Sequence, residues 1–273
     1  MTDGAGLDRR RPGCDGREPK VLPSMPDSAR FALHRPEIGP YLERGDEAVA
    51  RLMAACVRTF DAEAVIIETG EEHGFVYRVR AGWVSRVRPL PDGRSQLIAV
   101  FLPGDLFGVK SMFVTRHVDA VEAVSEAVVE YIDQGALRDA AARDFDVSLR
   151  LTWQVVEEER RLHNWVVGLG RGNAEERLAL LLLDLCGRLA LAGQIDAAAT
   201  EYDCPMTQQQ VADLLGLTNV HVSRVLRTLR EEGIATMRSG RVQINDLARL
   251  EKLAYPLQDI FEHSEPAFGS RGP

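Results

Sequence analysis

One segment narrows the choice of fold more than any other: residues 205–232, PMTQQQVADLLGLTNVHVSRVLRTLREE. Thr207 followed three residues later by Gln210 has the form of a capping box, which satisfies two orphan donors at a helix start. Gly216 ends that helix, because the tight turn after it needs a residue free to take positive φ. Thr218 caps a second helix, expected over Asn219–Glu232. Ala212 is small where two helices must cross closely, and Val211, Leu215, Leu217, Val222, Val225 and Leu226 supply the shared core. A small residue, a glycine four positions on and a branched apolar residue six beyond that form the helix-turn-helix pattern.

The residues after it extend the pattern. In Ile234–Ile244, IATMRSGRVQI, Ser239-Gly240 reads as a hairpin turn between two short strands, a wing. Asp246 caps a closing helix, expected over Leu247–Tyr255. Helical hairpins of this kind insert their second helix into the major groove of DNA. Thr218 starts that helix, and Asn219, Val220, His221, Ser223, Arg224 and Arg227 can point outward from it. The Arg224 fork suits the edge of guanine, Ser223 or Asn219 can reach a base, and Val220 can touch a thymine methyl. Arg227 and Arg230 suit phosphates, as do Arg238 and Arg241 beside the wing tip. Residues 206–245 hold five arginines against Asp213, Glu231 and Glu232, a basic island on a chain of net charge −8. That is a small reading head on an acidic body, not a wholly basic nucleic-acid coat.

At 273 residues the chain has room for two modest domains, and 45% hydrophobic with 27% charged residues is ordinary for a soluble globular protein. No run approaches the roughly 18 apolar residues of a membrane span, since Leu178–Leu183 is cut by Asp184. Arg9, Arg10 and Arg11 are not followed by an apolar stretch, so no signal peptide is expected. Cys14, Cys56, Cys186 and Cys204 are too scattered for a disulfide scaffold or a CxxC zinc site, which fits a reducing cytoplasm. Residues 1–35, rich in Gly, Pro and Arg, read as a disordered tail.

The middle of the chain divides into two kinds of pattern. A short helix fits Glu47–Cys56, with Val49, Leu52, Met53 and Cys56 on one face. From Val57 to Ile132 short β-rich runs recur: Ala64–Glu68, Phe75–Ala81, Gly82–Pro89, Gln96–Phe101, Val118–Val124 and Ala127–Ile132, with a hairpin signal at Asp92-Gly93. They predict an antiparallel roll or sandwich. A long helix follows over about Val147–Leu169 with two apolar stripes: Leu151, Val155, Glu158, Leu162, Trp165 and Leu169, and on the other side Leu149, Trp153, Val156, Arg160, His163 and Val167. Two faces need two neighbours, one the roll and the other the same helix of a second subunit. The first stripe is expected to be the dimer seam, with Glu158 as a polar break. Gly168, Gly170 and Gly172 are expected to break the helix and act as a hinge. Asn173 and Glu176 form a second capping box, opening an apolar helix over Ala174–Leu191.

With these parts in order, residues 40–255 resemble the CRP/FNR family of bacterial transcription regulators. The resemblance rests on the strand pattern, FLPGDLFG at 101–108, the long helix, NAEERLALLLLDL at 173–185 and the winged helix-turn-helix. It implies an α+β fold: a disordered tail (1–35), an N-terminal antiparallel β-roll like a cyclic-nucleotide-binding domain (36–146), a dimerisation helix and hinge (147–171), a C-terminal winged helix-turn-helix DNA-binding domain (172–258) and a tail (259–273). It also implies a non-enzymatic, cytoplasmic homodimer on near-palindromic DNA, acting on RNA polymerase. Cyclic-nucleotide-binding members follow the glycine loop with a Glu and, further on, Arg-Ser. Here Val109 follows Gly108, and Asp119-Ala120 (or His117-Val118, with a gap) stand at the second place. A carboxylate opposite a cyclic phosphate is repulsive, so cyclic AMP is not expected to bind. The effector pocket is placed at Gly108, Val109, Asp119, Ala120 and His163, with Leu162 beside His163. No iron–sulfur cluster is implied, since the tail holds only Cys14. Ser223-Arg224 matches the FNR-like pair, Val220 replaces the usual Glu, and LTNVHVSRVLRTLREEG resembles a FixK-like or unassigned branch.

Other constellations carry less. His34, His73, His117, His163, His221 and His263 include no pair at metal-ligand spacing on one helix, so no metal and no cofactor is expected, although His73, His117 or His163 could in principle ligate haem. A lowered pKa at Cys204, three residues before the Thr207 cap, would make it a redox switch, although a silent thiol is the default. Two other readings remain: a cupin-like metal-dependent enzyme, which would draw on Glu71, Glu72, His73 and His117, and a nucleotide-binding sensor without DNA binding, which the winged motif opposes.

Overall fold

The computed structural model describes residues 37–257, so the expected tails and Cys14, His34 and His263 lie outside the described residues. Helix α1 (Gly39–Met53) starts earlier than its apolar stripe suggests, with a proline in its first turn, where the missing N–H has no intrahelical partner to lose. It buries Leu42, Val49 and Met53; Leu52 is exposed and Cys56 lies beyond the helix end.

Eight strands follow: β1 (Val57–Phe60), β2 (Val65–Ile67), β3 (Phe75–Ala81), β4 (Val84–Pro89), β5 (Ser95–Phe101), β6 (Leu106–Phe107), β7 (Ala120–Ala123) and β8 (Ala127–Asp133). They form two four-stranded antiparallel sheets, ordered β1-β8-β3-β6 and β2-β7-β4-β5. Phe60, Tyr77, Phe101, Phe107, Val121 and Val129 form their buried core. This is the expected antiparallel roll. Strands β1 and β6 were not expected, and β6 is only two residues long.

Nor was helix α2 (Gln134–Arg143). The Asp133 carboxylate caps it, accepting from the N–H groups of Gly135 at 2.8 Å and Ala136 at 3.1 Å. Helix α3 (Phe145–Arg171) runs 27 residues, capped by Asp144. Gly168 and Gly170 do not break it; the chain leaves the helix only at Gly172.

The assignment of faces on α3 needs correction. Leu151 is buried with Val49, Met53, Leu106 and Leu137 of its own chain. Glu158 accepts from Arg86 of β4 at 2.8 Å, and Trp165 packs against the core beneath the next helix. These three members of the expected seam therefore face their own protomer. Beyond Phe145 at its start, the large apolar residues of α3 left in solvent are Val155, Val156, Leu162, Val166, Val167 and Leu169. The uncovered face thus draws from both sequence stripes.

Helix α4 (Ala174–Leu191) opens with the expected capping box: Asn173 N–H donates to Glu176 at 2.9 Å and Glu176 N–H to Asn173 at 3.0 Å. Its Leu178, Leu181, Leu182, Leu185 and Leu189 share one core with Trp83, Leu97, Val100 and Leu102 of the roll. Arg188 of α4 donates to the Val100 carbonyl and to Asp105, both at 2.7 Å. The C-terminal half is thus seated on the roll by apolar burial and by a fork gripping the β5–β6 turn. Beyond α4 come β9 (Glu201–Asp203), α5 (Gln208–Leu215), α6 (Asn219–Glu231), β10 (Ala235–Arg238), β11 (Arg241–Ile244) and α7 (Leu247–Ala254), with the strands ordered β10-β11-β9. Among the described residues no helix is long and apolar enough to cross a membrane.

Candidate nucleic-acid interface

The two helices of the reading motif are set by local chemistry. Thr207 N–H donates to Gln210 at 2.8 Å and Gln210 N–H returns a bond to Thr207 at 3.2 Å, closing the capping box. Gly216 takes φ +63°, so its conformation demands glycine, and a Cβ there would stand 2.9 Å from the end of the Leu169 side chain. Leu217 N–H then reaches back to the Ala212 carbonyl at 3.0 Å. Thr218 caps α6 by accepting from His221 N–H at 3.2 Å. Val211, Ala212, Leu215, Val222, Val225 and Leu226 are buried between the helices, as expected.

Periodicity then decides what α6 presents. Burial of Val222, Val225, Leu226 and Leu229 turns Asn219, Val220, His221, Ser223, Arg224 and Arg227 to solvent. Val220 is 69% exposed, an apolar residue held out in water at the front of the helix. Ser223 donates its hydroxyl to the Gln208 side chain at 2.5 Å. Thr207, Gln208, Gln209, Asn219, Val220 and Ser223 line one concave surface, where the N-termini of α5 and α6 converge. Gln208 and Gln209 were missed by the sequence reading. Their signal was available: they open α5, the helix whose start abuts the reading helix. Unpaired N–H groups and the helix dipole make such a start attractive to phosphate.

The arginines do not behave alike. Among the described residues Arg224, Arg230 and Arg238 have no ion pair, and Arg227 has only a loose contact with Glu231 at 3.4 Å. Arg241 differs: Glu201 of β9 lies 2.6 Å and Asp203 3.1 Å from its guanidinium. Its pKa is raised by those two hydrogen bonds. Arg241 therefore differs from Arg238 in meeting any phosphate already paired to two solvent-exposed carboxylates. The wing turn itself is as expected, with Ser239 and Gly240 both at positive φ.

The residues placed at an effector pocket lie on different elements. Gly108 adopts φ +79° with Phe75 O 2.9 Å from where a Cβ would lie, and Val109 is buried among α1–α3 residues. Asp119 is buried but accepts from Arg88 at 2.7 Å, and Ala120 pairs with Val87. His163 is exposed on α3. The two sheets instead hold a column of rings. His73 stacks on Tyr77 at 5.3 Å, Tyr77 on Phe107 at 4.9 Å, and Phe107 lies 5.5 Å from Phe101, over which Arg86 sits at 5.0 Å. His117 meets His73 edge-on at 5.8 Å. Burial lowers the pKa of both, that of His73 to about 4. Among the described residues no group of three or more His, Cys, Asp or Glu could hold a metal ion. Cys204 is 1% exposed, and burial pushes its thiol up to about 11. That favours the default reading of a silent thiol over the redox switch: desolvation outweighs proximity to the α5 start.

Two family descriptions match the chain, a cyclic nucleotide-binding domain over residues 57–144 and a Crp-like helix-turn-helix domain over residues 176–253. The nitrogen fixation regulation protein FixK of Azorhizobium caulinodans is 36% identical over 180 residues, covering 65% of this chain and 71% of that protein. FixK of Rhizobium meliloti is 30% identical, covering 68% and 80%. The chain belongs to the CRP/FNR family. Within it, the FixK-like resemblance extends to three dimensions: FixK2 from Bradyrhizobium japonicum superposes with a TM-score of 0.66 at 31% identity, over 72% of this chain and 96% of that one. This CRP/FNR protein is a DNA-binding transcription regulator, and its family is one of regulators, not enzymes.

Proposed function

We propose that two copies of the chain pair along α3 and place their α6 helices in successive major grooves of a near-palindromic DNA site, where the dimer acts on RNA polymerase. The observation that carries this reading is the face of α6: a capped, well-packed helix whose outward residues are Asn219, Val220, His221, Ser223 and three unburied arginines, Arg224, Arg227 and Arg230. Arg224, with no carboxylate partner among the described residues, is the base reader, its fork suited to guanine O6 and N7. Arg227, Arg230 and Arg238 are phosphate contacts. Pairing along α3 is supported by its uncovered stripe: Val155, Leu162 and Val166, interrupted by Glu159, follow the spacing of a two-helix seam. Cyclic AMP is not the effector. The space between the sheets is taken by rings, and Asp119 is committed to Arg88.

The experiment is selection of bound DNA from a random library, followed by binding of Arg224→Ala and Arg227→Ala to the selected site and a scrambled one. Arg224→Ala should cost roughly 1–3 kcal/mol per half-site on the selected sequence alone. Arg227→Ala should weaken both and reduce the salt slope by about one. Equal loss on both sequences for Arg224→Ala would reassign it to the backbone. Val166→Glu sets like charges across the seam, and an unchanged dimer in sedimentation would refute the pairing.

A further inference from the structure

Across the concave surface where α5 meets α6, a side-chain bond ties Ser223 of α6 to Gln208 of α5, 15 residues away. Its heavy atoms lie 2.5 Å apart. That is within the range of O–H···O bonds and shorter than N–H···O bonds run, so the amide turns its oxygen to Ser223 and leaves its NH₂ end free. The bond spends the one proton of the Ser223 hydroxyl. Ser223 Oγ keeps acceptor capacity alone, and Gln208 Nε2 keeps its donors with no acceptor among the described residues. Both side chains are exposed.

The other groups on this surface are placed differently. Thr207 is occupied with Gln210 in its capping box, and Gln209 donates its amide to Asp213 at 2.8 Å. Val220, three residues before Ser223 on α6, has no polar side-chain atom. Asn219 makes no side-chain bond among the described residues, so its amide can turn either way. Ser223 and Gln208 thus present an acceptor and a donor whose order is already set.

We propose that Ser223 and Gln208 together read one adenine in each half-site, Ser223 Oγ accepting from the N6 amino group and Gln208 Nε2 donating to N7. The assignment rests on α6 being the DNA-reading helix. In the major groove guanine offers the acceptors N7 and O6, thymine the acceptor O4 and a methyl group, and cytosine the donor N4. Adenine alone sets a donor beside an acceptor on one base. A single Asn or Gln amide reads adenine by the same pattern. Here the pattern is divided between two helices and fixed before DNA arrives, so less side-chain freedom is lost on binding. Any other base leaves the acceptor or the donor desolvated without a partner, which is the costly outcome for a polar group.

The test is atomic substitution in the DNA. A site selected by the full chain from a random library is remade with each half-site adenine replaced in turn, in both half-sites. One replacement is 7-deazaadenine, which lacks the N7 acceptor, and the other is unsubstituted purine, which lacks the N6 amino group. One adenine should respond to both, each replacement costing about fivefold or more in affinity. Gln208→Ala should become indifferent to 7-deazaadenine there and still sense the missing amino group, and Ser223→Ala should do the reverse. Gln208→Glu keeps the acceptor for Ser223 but turns the donor into an anion, and should lose the preference for adenine. Circular dichroism checks that these surface variants fold. A selected site with no invariant adenine, an adenine indifferent to both analogues, or analogue effects equal in the wild type and the variants would overturn the pair while leaving α6 as the reading helix. Selection of no sequence at all by the wild type would overturn the DNA-reading function itself, and the pair with it.

Discussion

The guanidinium of Arg177 donates to the Leu215 carbonyl at 3.0 Å, joining residues 38 apart in sequence. The same side chain donates to the carbonyls of Gly172 at 3.0 Å and Leu169 at 3.1 Å. One cation thus collects carbonyls from the end of α3, the turn after it and the end of α5, where helix-terminal carbonyls lack intrahelical partners. Leu169 also packs where Gly216 has no Cβ. The expected glycine hinge is therefore a clamped joint. It sets the attitude of the reading helices to the long helix.

Arg177→Ala should destabilise the protein by about 2 kcal/mol, the scale of hydrogen bonds to a charged group less their exchange with water. Urea denaturation measures this. DNA affinity should fall further than the lost stability explains, since the joint orients α5 and α6. Arg177→Met, which keeps the apolar stem and loses the bonds, should behave like the alanine variant if the bonds are what matters.

The wing arginines should separate in a salt series. Arg238 has no ion-pair partner among the described residues, whereas Arg241 is held by Glu201 and Asp203. Arg238→Ala should lower the slope of log affinity against log salt by about one, and Arg241→Ala by clearly less. Glu201→Gln should strengthen DNA binding, because it releases part of the Arg241 charge to the phosphates. Equal slopes for the two alanine variants would contradict this division of roles.

How much of this was legible depended on whether the decisive partner lay nearby in sequence. Thr207 with Gln210, Asn173 with Glu176, Gly216, Ser239-Gly240 and Asp246 are local devices, and each does in the structure what its residue type dictates. The choice between the two stripes of α3 was not local. Glu158 and Trp165 face inward because Arg86 and the core of the other half meet them there, and no periodicity contains that information. Gly168 continues the helix although glycine is a poor helix former, because packing overrides propensity. The pairing of Arg241 was not legible for the same reason, since its carboxylates come from β9, a three-residue strand without a recognisable pattern. Helix α2 was hidden because only Leu137 of its residues is buried.

Cys204 should be chemically silent. Its thiol is 1% exposed, pushed up to about 11 by burial, and its backbone N–H is tied to the Gly240 carbonyl at 2.8 Å. The thiolate is the reactive form, so alkylation of the native protein followed by peptide mapping should leave Cys204 unlabelled until denaturant is added. DNA binding of Cys204→Ser should match that of the wild type in its response to peroxide. Rapid labelling of Cys204 in the folded protein would restore the redox-switch idea.

Acid should weaken the roll through His73 and His117. Desolvation, with repulsion from His117, lowers the pKa of His73 from 6.5 to about 4, and desolvation, with Arg86 and Lys110 nearby, lowers that of His117, Asp119 opposing. The Nε2 atoms of both are buried without a partner, so a proton there would add charge with nothing to receive it. An unfolded chain takes up these protons near pH 6.5, while the folded chain resists until about pH 4 for His73. In that window the unfolded state binds more protons, so stability rises with pH. The contribution is complete above the unfolded pKa and is lost as pH falls toward the folded one. His73→Phe keeps a ring beside Tyr77 without the titrating nitrogen. The drop in urea midpoint between about pH 7.5 and about pH 5 should be smaller in this variant than in the wild type. An identical drop in both would mean that carboxylates elsewhere govern acid unfolding and that the His73 ring is a packing element alone.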